Sequence, residues 1–436
     1  MKQQSLWGLG ILSLILGLGG CAKSTEPGPV LTAKIDGKVL KAEDSTSLSS
    51  ANLILYDANT NAPVGRILSN GTGDFSIEIL AGDYYLTAAA QGRIPSPPKN
   101  GKPLPFHVEA NHTYVRNVYL EKDTASLNTG ALSGKVTVSG YSNLGGILIV
   151  AQRLDSTAFS TTTGPDGYFA LFNLPIGTYS LKGYRDSLIQ DTAAVQFVIH
   201  PDTLILNTVL NMSVNAGKSL KGKLRFLASP NSTVDITLVN PLTREAIPGL
   251  SVRNDSNNTF TLRGIPPGSY IAWATYRNDG YVMDPDAIRK FGLPRISFTA
   301  SDTVKTLDFD VTGAITLVSP TNAADSVYPV AVHSLTPAFH WAKYSSTKEY
   351  IVEVFDAKGN RVWGGFNSTT GVILHTAIPA SADSIRYNFD GSALTPLKTN
   401  GIYSWKIFAD NSTDPNVQGL ISSSEDSRGL FQVVLP

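Results

Sequence analysis

The sequence predicts an all-β protein of tandem β-sandwiches joined by short linkers, and three observations carry that expectation. Segments of period-two alternation recur along the chain, bounded by Gly, Pro, Asn and Asp, and strands spaced by roughly 8–12 residues indicate sandwiches. Beyond the N-terminal segment no run of helical periodicity extends past about three turns. Three segments repeat one another at a spacing near that of a whole domain, too long for a solenoid repeat. With 436 residues the chain is also too long for a single core.

The first element is "MKQQSLWGLGILSLILGLGGC". Lys2 supplies a positive end, Leu6 to Leu18 an apolar run of 13 residues, and Gly19 and Gly20 precede Cys21, the one cysteine. The run is too short for an ordinary membrane span and reads as a secretory signal. "LGGC" resembles the lipobox of bacterial lipoproteins. That resemblance implies a signal peptide over 1–21, lipidation of Cys21 as the first mature residue, and an extracytoplasmic, lipid-anchored protein. Ala22 in place of Asp favours the outer membrane by the same resemblance. Residues 22–32 read as a polar tether.

Next come the three repeats. "GDFSIEILAGDYYLTAAAQG", "GYFALFNLPIGTYSLKGYRD" and "NTFTLRGIPPGSYIAWATYRN" share Phe75, Phe169 and Phe260, then Gly82, Gly177 and Gly268, then a Tyr. The intervals are 94 and 91 for Phe, 95 and 91 for Gly; the first copy is one residue shorter between them. Each copy opens on a Gly-Lys strand ("IDGKVL", "LSGKVTV", "LKGKLRF"), continues with an apolar strand ("ANLILYD", "GGILIVAQ", "STVDITLVN") and closes on an alternating one. Asp166-Gly167 reads as a hairpin dipeptide, and Asp166 has no Asp counterpart in the third copy. The "SGKVTV", "GPDGYF" and "NLPIGTYSL" segments resemble the carboxypeptidase regulatory-like domain, a transthyretin-like sandwich close to starch-binding-like folds. The expected units are 33–122, 130–212 and 217–312. No peptidase part accompanies them.

The last unit, 314–436, resembles a fibronectin type III or related immunoglobulin-like domain. Trp341 stands where that family keeps a core tryptophan, and Tyr403 in "GIYSWKI" stands where it forms the tyrosine corner. The stretch 364–400 is a long insertion in that pattern.

Charge is balanced, 35 basic against 35 acidic residues, which gives no electrostatic case for nucleic acid. The six histidines lack metal-site spacing and there is no nucleophile elbow, so neither an enzyme nor a cofactor is expected. Asp284 with Asp286, Asp308 with Asp310, and "DNSTDPN" at 410–416 offer oxygens for calcium but match no EF-hand loop. Trp273, Tyr276, Tyr281 and Trp363 are the aromatics left for a ligand-stacking platform, Trp273 being expected on the strand face opposite Tyr276. A Lys–Asn amide link, Lys38 with Asn117 or Lys135 with Asn207 or Asn211, is a further option. The expectation is a non-enzymatic lipid-anchored envelope module, a spacer or adhesion protein. Its partners are a membrane through the anchor and a glycan or envelope protein. The alternatives are a carbohydrate-binding surface lipoprotein and an accessory subunit of a secretion or glycan-uptake system.

Overall fold

A computed structural model describes residues 32–98, 105–124, 128–190, 195–201, 204–322, 329–367, 370, 372–412 and 419–435. They form β-sheets throughout, with one short helix, Pro285–Phe291, among the described residues. No described helix is long and apolar enough to cross a membrane. The leader 1–21, Cys21, and the tether up to Leu31 lie outside the described residues; Thr32 already belongs to the first strand, Thr32–Lys41.

The first three sandwiches share one topology. In each, the Gly-Lys strand pairs antiparallel with the Phe strand and parallel with the closing strand. The second sheet is built on the apolar strand: Asn52–Asp57, Leu148–Arg153 and Asp235–Val239 each sit between two antiparallel neighbours.

The repeated residues explain one another. Gly37, Gly134 and Gly222 stand directly opposite Phe75, Phe169 and Phe260. A Cβ on each glycine would come within 1.9, 2.1 and 1.8 Å of the Arg116, Thr208 and Leu307 carbonyl oxygens, and within 2.7 Å of the Phe ring each time. The glycine is therefore what lets the Phe ring and the closing strand approach the first strand together. The recurring tyrosines close the turn behind them. Tyr84, Tyr179 and Tyr270 each donate a hydroxyl hydrogen bond to the carbonyl four residues back, at 3.0, 2.7 and 2.8 Å. All three rings are buried. Where the first two copies place Gly73 and Gly167 at positive φ (76° and 78°), the third places Asn258 at 58°. Asn tolerates this region best after Gly, so the hairpin survives without Asp-Gly.

The fourth sandwich pairs a sheet of Leu317–Ser319, Ala338–Trp341 and Ser384–Arg386 with a larger one centred on Ile402–Asp410. Its core holds Trp341, Trp363 and Trp405, each 2% exposed or less. The Tyr403 hydroxyl accepts the Lys398 N–H at 2.9 Å, the corner geometry its position implied.

Candidate functional site

The four aromatics expected to form a platform do not gather. Trp273 lies on Gly268–Ala274, half-buried, while Ala272 and Ala274 face the core. Thr275 has φ 60°, which breaks the period-two alternation. Tyr276 is thereby swung to the Trp273 ring, 6.0 Å away and edge-on, a correction to its expected place on the opposite face. Tyr281 packs edge-on against Phe226 at 5.6 Å, in the other sheet. Trp363 belongs to another sandwich and has no exposed surface, so the expectation that it serves a stacking platform is corrected. The cause is the 364–400 insertion. His375, Tyr387 and Phe389 close over the indole at 5.9, 5.3 and 6.0 Å, and Ser392 accepts its N–H at 3.1 Å. Burial pushes the His375 pKa down. Its Nε2 accepts the Val352 N–H at 3.0 Å, which requires that nitrogen to be unprotonated. The amide-link option meets other partners too: Lys38 Nζ reaches Asp74, and Asn117 Oδ1 accepts the Lys38 backbone N–H at 3.0 Å.

What the structure does gather is the surface between sandwiches. The three apolar strands are buried on both faces. Leu53 and Leu55 enter the first core, while Ile54 on the opposite face is 3% exposed. Ile149 and Ala151 enter the second core, but Leu148 and Val150 belong to the third sandwich's cluster. A strand that packs on both faces reads as a continuous apolar run instead of an alternation, and "NLILYD", "LIVAQ" and "DITLV" are such runs.

The missing residue of the first copy marks the junction. In the second and third copies the extra residue is a β-bulge, between Leu171 and Leu174 and between Leu262 and Ile265; the first copy pairs without a shift. The bulge residues, each four after the Phe, are Asn173 and Gly264, at φ 56° and 75°. Each receives the residue ten beyond the turn glycine of the preceding sandwich. Gly92 donates its N–H to Asn173 Oδ1 at 2.6 Å, and Asn173 Nδ2 donates to the Arg93 carbonyl at 2.8 Å. Ser187 donates its N–H to the Gly264 carbonyl at 2.7 Å. A Cβ on Gly264 would sit 2.7 Å from Ser187 Oγ. Bulges re-aim a strand at a specific contact. Here they couple one sandwich to the next, and the first copy has no described sandwich before it to receive.

The Asp166 hairpin belongs to the same surface. Arg66 of the first sandwich lies over the Tyr168 ring at 3.8 Å, reaches Asp166 at 3.6 Å and donates to Asn52 at 2.7 Å. Tyr56 and Tyr85 stack alongside at 4.9 Å. Burial pushes the Tyr56 hydroxyl up to about 12 and Tyr85 higher still, so both are neutral hydrogen-bonding groups at physiological pH, unsuited to proton transfer there. Pro63 of the first sandwich and Pro248 of the third both approach Gly146 of the second. The third and fourth sandwiches meet where Glu425 accepts the Gly280 N–H at 2.7 Å. The fourth returns to the first through Gln432 and Glu121 at 3.4 Å. Chemically this arrangement fixes positions; Arg66, Asn173, Ser187 and Glu425 are the residues a motif search passes over.

No family model matches the chain, and no curated protein matches it. Solved structures similar to it include the Bacillus anthracis TIE protein, at 15% identity and TM-score 0.18, covering 65% of this chain and 51% of that one. The Streptococcal ancillary pilin matches at 11% identity and TM-score 0.19, over 64% and 98%. BcpA, the major pilin subunit of Bacillus cereus, matches at 10% and 0.18, over 65% and 100%.

Proposed function

We propose that this chain is a non-enzymatic, lipid-anchored envelope protein whose four sandwiches form one stiff body, a spacer or adhesion module held to the membrane through Cys21. The repeated bulge junction carries the reading. A string of independent binding modules has no use for an extra residue at the same position of successive copies, each spent on docking the preceding copy. Stiffness of this kind suits a part that presents a surface at a set distance.

Two measurements test it. Cys21→Ser is expected to move the protein from the membrane fraction to the soluble one; retention in the membrane argues against the anchor. Small-angle scattering is expected to give one compact particle for the wild type and a broader, longer one for a double variant, Asn173→Ala with Gly264→Ala. An extended wild-type ensemble would overturn the stiff-body reading. The half-buried Trp273–Tyr276 pair favours carbohydrate binding as the second reading. Polysaccharide retention that is lost in Trp273→Ala would select it.

A further inference from the structure

The acidic groups that sequence alone offers to a cation are mostly taken by the protein. Asp284 caps the helix Pro285–Phe291, accepting the Asp286 N–H at 3.0 Å. Asp286 pairs with Arg289 at 2.9 Å and Lys290 at 2.5 Å. Asp308 accepts the Lys223 N–H at 2.8 Å, and Asp310 is chelated by Arg225 at 2.7 and 2.6 Å. Asp410 differs. It stands directly opposite Glu349 on the antiparallel strands Ile402–Asp410 and Glu349–Asp356. Asp410 has no exposed surface and Glu349 only 7%.

One oxygen of Asp410 has work: Oδ1 accepts the N–H groups of Ser412 at 2.7 Å and Gly419 at 2.9 Å. The other does not. Asp410 Oδ2 and Glu349 Oε1 are both buried with no hydrogen-bond donor. The stretch "DNSTDPNVQG", 410–419, contains no Lys, Arg or His to neutralise them. Burial, with the Asp410 charge added, raises the Glu349 pKa. Like charges directly opposite on neighbouring strands destabilise a sheet, and buried carboxylates demand a partner. A shared proton would neutralise one carboxylate. A divalent cation would neutralise both and satisfy both oxygens.

We propose that Glu349 Oε1 and Asp410 Oδ2 are protein ligands of a divalent-cation site, calcium by preference, where the strand Ile402–Asp410 enters its following loop. Carboxylate oxygens are hard ligands that suit calcium, and two of them with water completing the shell give the weak affinity of extracellular modules, a Kd of about 10⁻⁴–10⁻³ M. Occupancy would then leave both Asp410 oxygens engaged, Oδ1 with Ser412 and Gly419 and Oδ2 with the cation.

The test uses the full chain, stripped with a chelator and then titrated with calcium chloride to millimolar levels. Calorimetric titration is expected to show one weak site, and thermal unfolding a Tm rise of roughly 2–4 °C. Glu349→Gln keeps the side-chain size and is expected to fold but lose both responses. The absence of calcium binding by the wild type overturns the proposal, as does an undiminished response in Glu349→Gln. So does a Glu349→Gln protein that is simply more stable at pH 7 while neither form responds to calcium, because that identifies a shared proton.

Discussion

The first three sandwiches and the fourth build their cores by opposite means. The repeats rely on register. A glycine faces a Phe ring in each, and the closing strand's carbonyl packs into the space a side chain would have filled. The fourth relies on volume. Three tryptophans fill its core around Phe339, which contacts Trp363 and Trp405 at 6.3 and 4.8 Å. A repeat held by register can be copied and docked, because the fit resides in the backbone and leaves the outer sheet faces free for the next copy. A core held by volume needs a local cover, which the 364–400 insertion supplies.

The comparison breaks most visibly at Trp363. Trp363→Ala empties the centre of the fourth core and is expected to cost about 3–5 kcal/mol. Urea unfolding should show the fourth sandwich melting first while the others hold. Gly134→Ala is the corresponding test of register. The new methyl meets a backbone carbonyl and a fully buried ring, neither of which can move aside, so about 3 kcal/mol is expected. Its loss should appear in the second sandwich by amide hydrogen exchange. A neutral Gly134→Ala would mean that the register argument is wrong.

Much of this organisation was legible in the sequence, and the parts that were not share a cause. The Phe, Gly and Tyr positions of each repeat are local, so their spacing announced the strands and turns. The bulge was present as a one-residue difference in spacing between copies, but its purpose depends on contacts such as Asn173 with Gly92, 81 residues apart. The cover of Trp363 is not legible because Tyr387 and Phe389 follow Ser384–Arg386, a strand of three residues, too short to show an alternation. The Asp166 hairpin is legible as a turn from its Asp-Gly pair, but Arg66, which rests on it, lies 100 residues earlier and in no pattern with it.

Arg66→Ala weakens the first junction without touching a core. Across the junction it removes the stack on Tyr168 and the ion pair with Asp166, and within the first sandwich the hydrogen bond to Asn52, about 2 kcal/mol in all. Calorimetry should then separate the first sandwich's transition from the second's, which the wild type is expected to show as one.

The smallest effect tests the seam between the two kinds of sandwich. Asp279 lies beside Glu425, the residue that receives Gly280. Burial, with the Glu425 charge added, raises its pKa from 3.8 to about 6. A carboxyl whose folded pKa is raised holds its proton longer in the folded state. Its contribution to stability is full below about pH 4 and is lost as the pH climbs through about 6. Asp279→Asn keeps an oxygen for the Tyr281 N–H that Asp279 now accepts at 3.1 Å and removes the charge. Because the group is partly exposed, solvent screening reduces the expected gain to about 1 kcal/mol at pH 7. Near pH 4 the two proteins should melt together. A gain that persists there would come from packing, and this seam would then have no electrostatic part.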